Sequence, residues 1–69
     1  MKRFERVEFI DDIQPGDYVG DGIETGIVLS RAQVGKFEGF RVQLLASRAE
    51  SFMLDDNLTT AARLTEVAA

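Results

Sequence analysis

Between Ile13 and Leu29 the chain reads I-Q-P-G-D-Y-V-G-D-G-I-E-T-G-I-V-L, which holds its single proline and four of its six glycines. A helix does not tolerate that punctuation, because an interior glycine costs roughly 1 kcal/mol and a proline about 3 kcal/mol. The stretch predicts a turn, a strand, a reversal and a second strand. Pro15 fixes φ at about −65° and Gly16 accepts φ > 0, so the pair fits the central positions of a type II turn. Asp17 opens the first strand, with Val19 and Ile23 facing inward and Tyr18 on the opposite face. Gly20, Asp21 and Gly22 interrupt it. The reversal falls either at Asp21-Gly22 or at Thr25-Gly26, where Gly26 would supply φ > 0.

Residues 26 to 34 read as the second long strand, with Ile27 and Leu29 on one face and Val28, Ser30 and Ala32 on the other. Gly35-Lys36-Phe37-Glu38-Gly39 is predicted as a five-residue hairpin loop with Phe37 at its tip. Phe40, Val42, Leu44 and Ala46 alternate with Arg41, Gln43 and Leu45, and this period of two assigns the first set to the core. After a polar turn at residues 47 to 50, Ser51 to Leu54 reads as a short strand with Phe52 and Leu54 inward and Met53 outward. Asp55-Asp56-Asn57 is another turn. The threonines at positions 59, 60 and 65 favour a strand from Thr60 to Val67 over a helix that would line up Leu58, Ala61, Ala62 and Thr65. Near the start, Val7 and Phe9 alternate as a strand would, whereas Phe4 with Val7 suits a short helix. Asp11 suits the cap of a single helical turn before Pro15.

Short strands at about ten-residue spacing, with no strong helix, predict an all-β domain over residues 1–69. The expected form is a small antiparallel barrel of five or six strands, with or without a short helical turn, because closure removes edge strands that invite aggregation. The pattern Gly16-Asp17-x-Val19, then Gly22-x-x-x-Gly26-x-Val28, resembles the opening of KOW-type and SH3-like barrel modules over about a quarter of the chain. The resemblance implies that barrel and, in the KOW group, an RNA or protein partner. The acidity of the same stretch argues against RNA.

At 69 residues the chain is one domain whose core is small for its surface. It contains no cysteine and no histidine, which excludes disulfides, thiol chemistry and zinc held by those residues. No apolar run approaches the ~20 residues of a membrane span, and no apolar segment follows Met1-Lys2-Arg3 as in a secretory signal, so the expected location is the cytoplasm. Arginine exceeds lysine six to two and alanine is frequent, which suits a bacterial or phage genome and, for a phage protein, the host cytoplasm.

Charge is segregated. Residues 8 to 24 carry Glu8, Asp11, Asp12, Asp17, Asp21 and Glu24 with no basic residue, while residues 31 to 48 carry Arg31, Lys36, Arg41 and Arg48 against Glu38 alone. Three readings follow: cross-strand pairing within the fold, steering of a partner, or association of the acidic stretch of one copy with the basic hairpin of another. The adjacent carboxylates Asp11-Asp12 are read as facing water, Asp17-x-x-x-Asp21-Gly22-x-Glu24 lacks the alternate-residue spacing of a calcium loop, and no cofactor or metal is expected. Without His or Cys, and with no phosphate loop or nucleophile motif, the chain is not expected to be an enzyme. The expected function is a non-catalytic protein-interaction module, a small regulator or inhibitor of a larger partner. Its surface is assigned to Phe37, Tyr18, Arg31, Arg41, Lys36 and Met53. The alternatives are nucleic acid or an anionic small molecule held at the basic hairpin 31–48, and a structural subunit of a homo-oligomer.

Overall fold

Local turn chemistry lays out most of the strand order. A computed structural model describes residues 1–67. Its strands are β1 (Lys2–Arg6), β2 (Tyr18–Gly20), β3 (Thr25–Val34), β4 (Phe37–Leu44), β5 (Glu50–Leu54) and β6 (Thr60–Glu66). Single 3-10 turns at Ile10–Asp12 and Asp55–Asn57 are the helical content among the described residues. All pairings are antiparallel, in the order β1-β6-β2-β3-β4-β5. The expected all-β antiparallel architecture is therefore present. Strand pairing does not close the sheet, and β1 and β5 are its two edges.

Pro15-Gly16 forms the expected type II turn: Gly16 has φ +94°, and the Asp17 N–H donates to the Gln14 carbonyl at 3.0 Å. The reversal between β2 and β3 falls on Asp21–Glu24, where the Asp21 carboxylate accepts from the N–H groups of Ile23 (2.9 Å) and Glu24 (2.8 Å). Those two bonds, Glu24's first, hold the Asp21 carboxyl below the usual range. The reversal leaves Ile23 outside the strands and 91% exposed, which overturns its expected place in the core. Gly26 keeps φ < 0, contrary to expectation; its glycine requirement is one of space, since a Cβ there would lie 3.0 Å from the Val42 side chain.

The β3–β4 hairpin is tighter than its glycines suggested. Val34 pairs directly with Phe37, leaving a loop of only Gly35 and Lys36. With φ +61° at Gly35 and no positive φ at Lys36, the loop fits type II′, which suits the twist of the flanking strands. Phe37 therefore begins β4 and is not at a loop tip. The register shifts between Val28 and Ser30, so Leu29 is an extra, bulged residue. The bulge inverts the faces of the strand beyond it. Val28 faces the core opposite Val42, whereas Ser30 and Ala32, expected on the same face, turn outward, and Arg31 turns inward opposite Phe40.

The core consists of Val19, Val28, Phe40, Val42, Leu44 and Met53, with Ile13, Leu58 and Ala61 packed against it. Met53 is 4% exposed because it pairs with Phe40 across β4–β5; Phe52 and Leu54, expected inside, take the outer face of the sheet. Ala46 lies beyond the end of β4 in the exposed turn, not in the core. On β6 the core-facing residue is Ala61, opposite Val19, while Ala62 and Leu64 share the outer face with Tyr18 and Phe4. Upstream, the strand occupies residues 2–6 in place of Val7–Phe9, and Phe9 is the cap position of the first 3-10 turn where Asp11 was expected.

Candidate interaction surface

Two arginine–carboxylate pairs close the ends of the core face. Arg63 of β6 donates to both oxygens of Asp17 at 2.9 Å, and Asp17 also accepts the Gln14 N–H at 2.9 Å. Asp17 is the buried charged residue of the core region, 2% exposed. Burial pushes its carboxyl upward, but the bonds from Arg63 and Gln14 outweigh that effect and its pKa lies below the usual value. At the other end the Arg31 guanidinium lies 4.5 Å from the centroid of the Phe40 ring and grips Asp55 with two bonds, 2.5 and 2.7 Å. Glu38 lies 3.6 Å from the same guanidinium. The Asp55 bonds, first, and the neighbouring acids hold the Arg31 pKa above its ordinary value.

These pairs show which charges meet within the fold. Of the four basic residues at 31–48, Arg31 pairs with Asp55 and Glu38 and Arg41 with Glu50, none of them in the acidic stretch 8–24; Lys36 and Arg48 enter no ion pair within 4.0 Å among the described residues. Among the described residues, Glu8, Asp11, Asp12, Asp21 and Glu24 enter no ion pair within 4.0 Å, and only Asp17 of that stretch is neutralised.

The six residues assigned from the sequence are scattered by the fold. Met53 is in the core. Arg31 is engaged on the core face by Phe40 and Asp55. Tyr18 packs edge-on against Phe4, with ring centroids 5.1 Å apart, and is separated from β5 by β3 and β4. Phe37, Lys36 and Arg41 stay together: Phe37 is 53% exposed on the outer face, the Lys36 ammonium lies 6.0 Å from its ring centroid, and Arg41 shares that face in a 3.4 Å pair with Glu50.

What the sequence did not assign to this surface are Val34, Phe52 and Leu54. Val34, 57% exposed, stands directly across the hairpin from Phe37. Leu54 pairs with Gly39, and Phe52 pairs with Arg41 in the next outer row. Gly39 leaves the space that the Phe52 ring fills, since a Cβ at Gly39 would fall 2.8 Å from Phe52 Cζ. Val34, Phe37, Phe52 and Leu54, together with Met53, Asp21 and Asn57, line a shallow depression of about 260 Å³, below the size that encloses most small-molecule ligands. The Gly-Lys pair at 35–36 was the available signal: read as a two-residue II′ turn, it places Val34 and Phe37 side by side.

Among the described residues, no three His, Cys, Asp or Glu side chains come together as a metal site, and no helix is long and apolar enough to cross a membrane. No known protein family, curated protein or solved structure matches this chain.

Proposed function

We propose that the protein is a non-catalytic protein-interaction module that engages its partner through the outer face of β3, β4 and β5, centred on Phe37. The observation that carries this reading is the pairing of two large exposed apolar side chains, Val34 and Phe37, across a rigid two-residue turn, continuous with Phe52 and Leu54. An apolar centre rimmed by Lys36 and Arg41 has the composition of a protein-binding patch. The resemblance of the Gly16–Val28 pattern to KOW-type and SH3-like modules is compatible with a protein partner, and the role proposed is that of a small regulator or inhibitor of a larger protein. Nucleic acid or a small anion at the basic hairpin is the weaker alternative. Arg31 and Arg41 are both committed to carboxylates, and the two other cations of that hairpin, Lys36 and Arg48, lie at opposite ends of β4.

The test is capture of partner protein from the source cell, or from its host, by immobilised wild type and Phe37→Ala. Loss of the captured protein on Phe37→Ala, with an unchanged melting temperature, is the expected result. Capture indifferent to Phe37→Ala overturns the reading. Binding of a single-stranded oligonucleotide that falls steeply with salt and is lost on Lys36→Ala with Arg41→Ala would favour the alternative.

A further inference from the structure

The two edges of the sheet are built differently. β1 carries Lys2, Arg3, Glu5 and Arg6 among its five residues, and charge on an edge strand discourages pairing with another chain. β5, sequence E-S-F-M-L, has one charge at its first position, no lysine, no proline and no bulge in its pairing with β4.

The direction of its backbone groups follows from the ladder. The Leu44 N–H donates to the Ala49 carbonyl at 2.9 Å, so Leu44 points toward the β5 side, whereas the Leu45 N–H donates to the Thr25 carbonyl at 3.0 Å, toward β3. Antiparallel pairs alternate, so Val42 and Phe40 exchange bonds with Ser51 and Met53. Glu50, Phe52 and Leu54 then direct their N–H and C=O groups away from the sheet. Among the described residues, no backbone bond outside the ladders involves Glu50 or Phe52. The Leu54 carbonyl turns into the 3-10 turn that starts there, which leaves its N–H outward.

We propose that β5 is the docking edge for a second copy of this chain, the two β5 strands pairing antiparallel about a two-fold axis at Phe52. In that register Phe52 exchanges two bonds with its counterpart, and each Leu54 N–H meets the Glu50 carbonyl of the other copy. Every outward group but the Glu50 N–H finds a partner, so the edge is complementary to itself. The two Phe52 rings become a cross-strand aromatic pair on the outer face, and the sheet continues from copy to copy. Two five-residue strands bury well under the ~1,200 Å² of a stable interface, so the dimer is weak and depends on concentration. Its attraction lies in backbone bonds and apolar contact, so it is insensitive to salt, unlike docking of the acidic stretch on the basic hairpin. The inference rests on the β5 backbone and stands or falls separately from the Phe37 reading.

The test is solution mass by light scattering at low and high salt, with Phe52→Lys and Phe52→Glu alone and mixed. Wild-type mass is expected to climb from one chain toward two between about 10 μM and 1 mM at both salts. Each variant alone stays at one chain with native circular dichroism, and mixing them restores the dimer, because position 52 faces itself. A wild type that stays at one chain through about 1 mM, or variants that associate as the wild type does, overturns the proposal; a mixture that does not associate overturns the register. Since Phe52 also covers Gly39, amide exchange of the wild type provides a readout independent of variant folding. The N–H groups of Phe52 and Leu54 should slow about tenfold or more from dilute to concentrated protein, and exchange that does not change with concentration overturns the pairing.

Discussion

Asp17 shows how one side chain serves a turn, a strand and a terminal element together. Its carboxylate closes the Gln14–Asp17 turn and ties β6 to the start of β2 through Arg63. Because its folded pKa is lowered from 3.8, the stability it contributes is complete above that value and is lost as pH falls through the lower folded value. Asp17→Asn should therefore cost about 2 kcal/mol near neutral pH, with the difference from wild type shrinking below about pH 4. Urea unfolding followed from neutral to acid pH checks this, and parallel pH profiles would contradict it. The identity of Gly39, like that of Gly26, is dictated by space. A Cβ there would sit 2.1 Å from the Met53 carbonyl oxygen, so β4 and β5 would have to separate. Gly39→Ala should destabilise by about 2 kcal/mol or more, read as a lower urea midpoint. Neither requirement was visible in the sequence. Asp17 reads there as one acid among six, and Gly39 as a loop boundary, because the meaning of each depends on a partner far along the chain.

Strands were legible where their pattern was local and regular. Alternation from Phe40 to Leu44 identified β4 and its buried face, and the threonines at 60 and 65 identified β6. Faces went wrong where one residue breaks the period. The Leu29 bulge reverses the second half of β3, and without it Arg31 reads as a surface cation, although its guanidinium covers Phe40. β5 is short enough that Phe52 and Met53 compete for the inside; the turn closed by the Leu44 N–H on the Ala49 carbonyl sets a register that places Met53 opposite Phe40, and the Phe52 ring lies over Gly39 on the outer face. The grouping on the proposed surface follows the same logic: Phe37, Lys36 and Arg41 are named by the sequence, while the adjacency of Val34, Phe52 and Leu54 to them depends on the hairpin register and on the face of β5. β1 is the element with the least holding it. All five of its residues are exposed, and its side-chain anchor is the contact of Phe4 with Tyr18. Its amides should exchange by local opening well ahead of those in β3 and β4. Phe4→Ala should speed that exchange further while leaving β4 unaffected, and hydrogen exchange resolved by residue measures both. Equal protection across the sheet would mean that β1 belongs to the main cooperative unit.

At the scale of the molecule, the order of the strands in the sheet departs from their order in the sequence at one place. β6 inserts between β1 and β2, so Lys2 pairs with Glu66, and Tyr18 pairs with Ala62. The remaining pairings join neighbours along the chain, β2 with β3, β3 with β4 and β4 with β5. The pairings of β6 with β1 and β2 are therefore the non-local ones, the kind of contact that slows folding. Among the six strands, β1 is synthesised before the others and its neighbour β6 after them. Until β6 is made, β1 lacks the one strand it pairs with in the described sheet. Lys2, Arg3, Glu5 and Arg6 make such an unpaired strand a poor template for association with other chains.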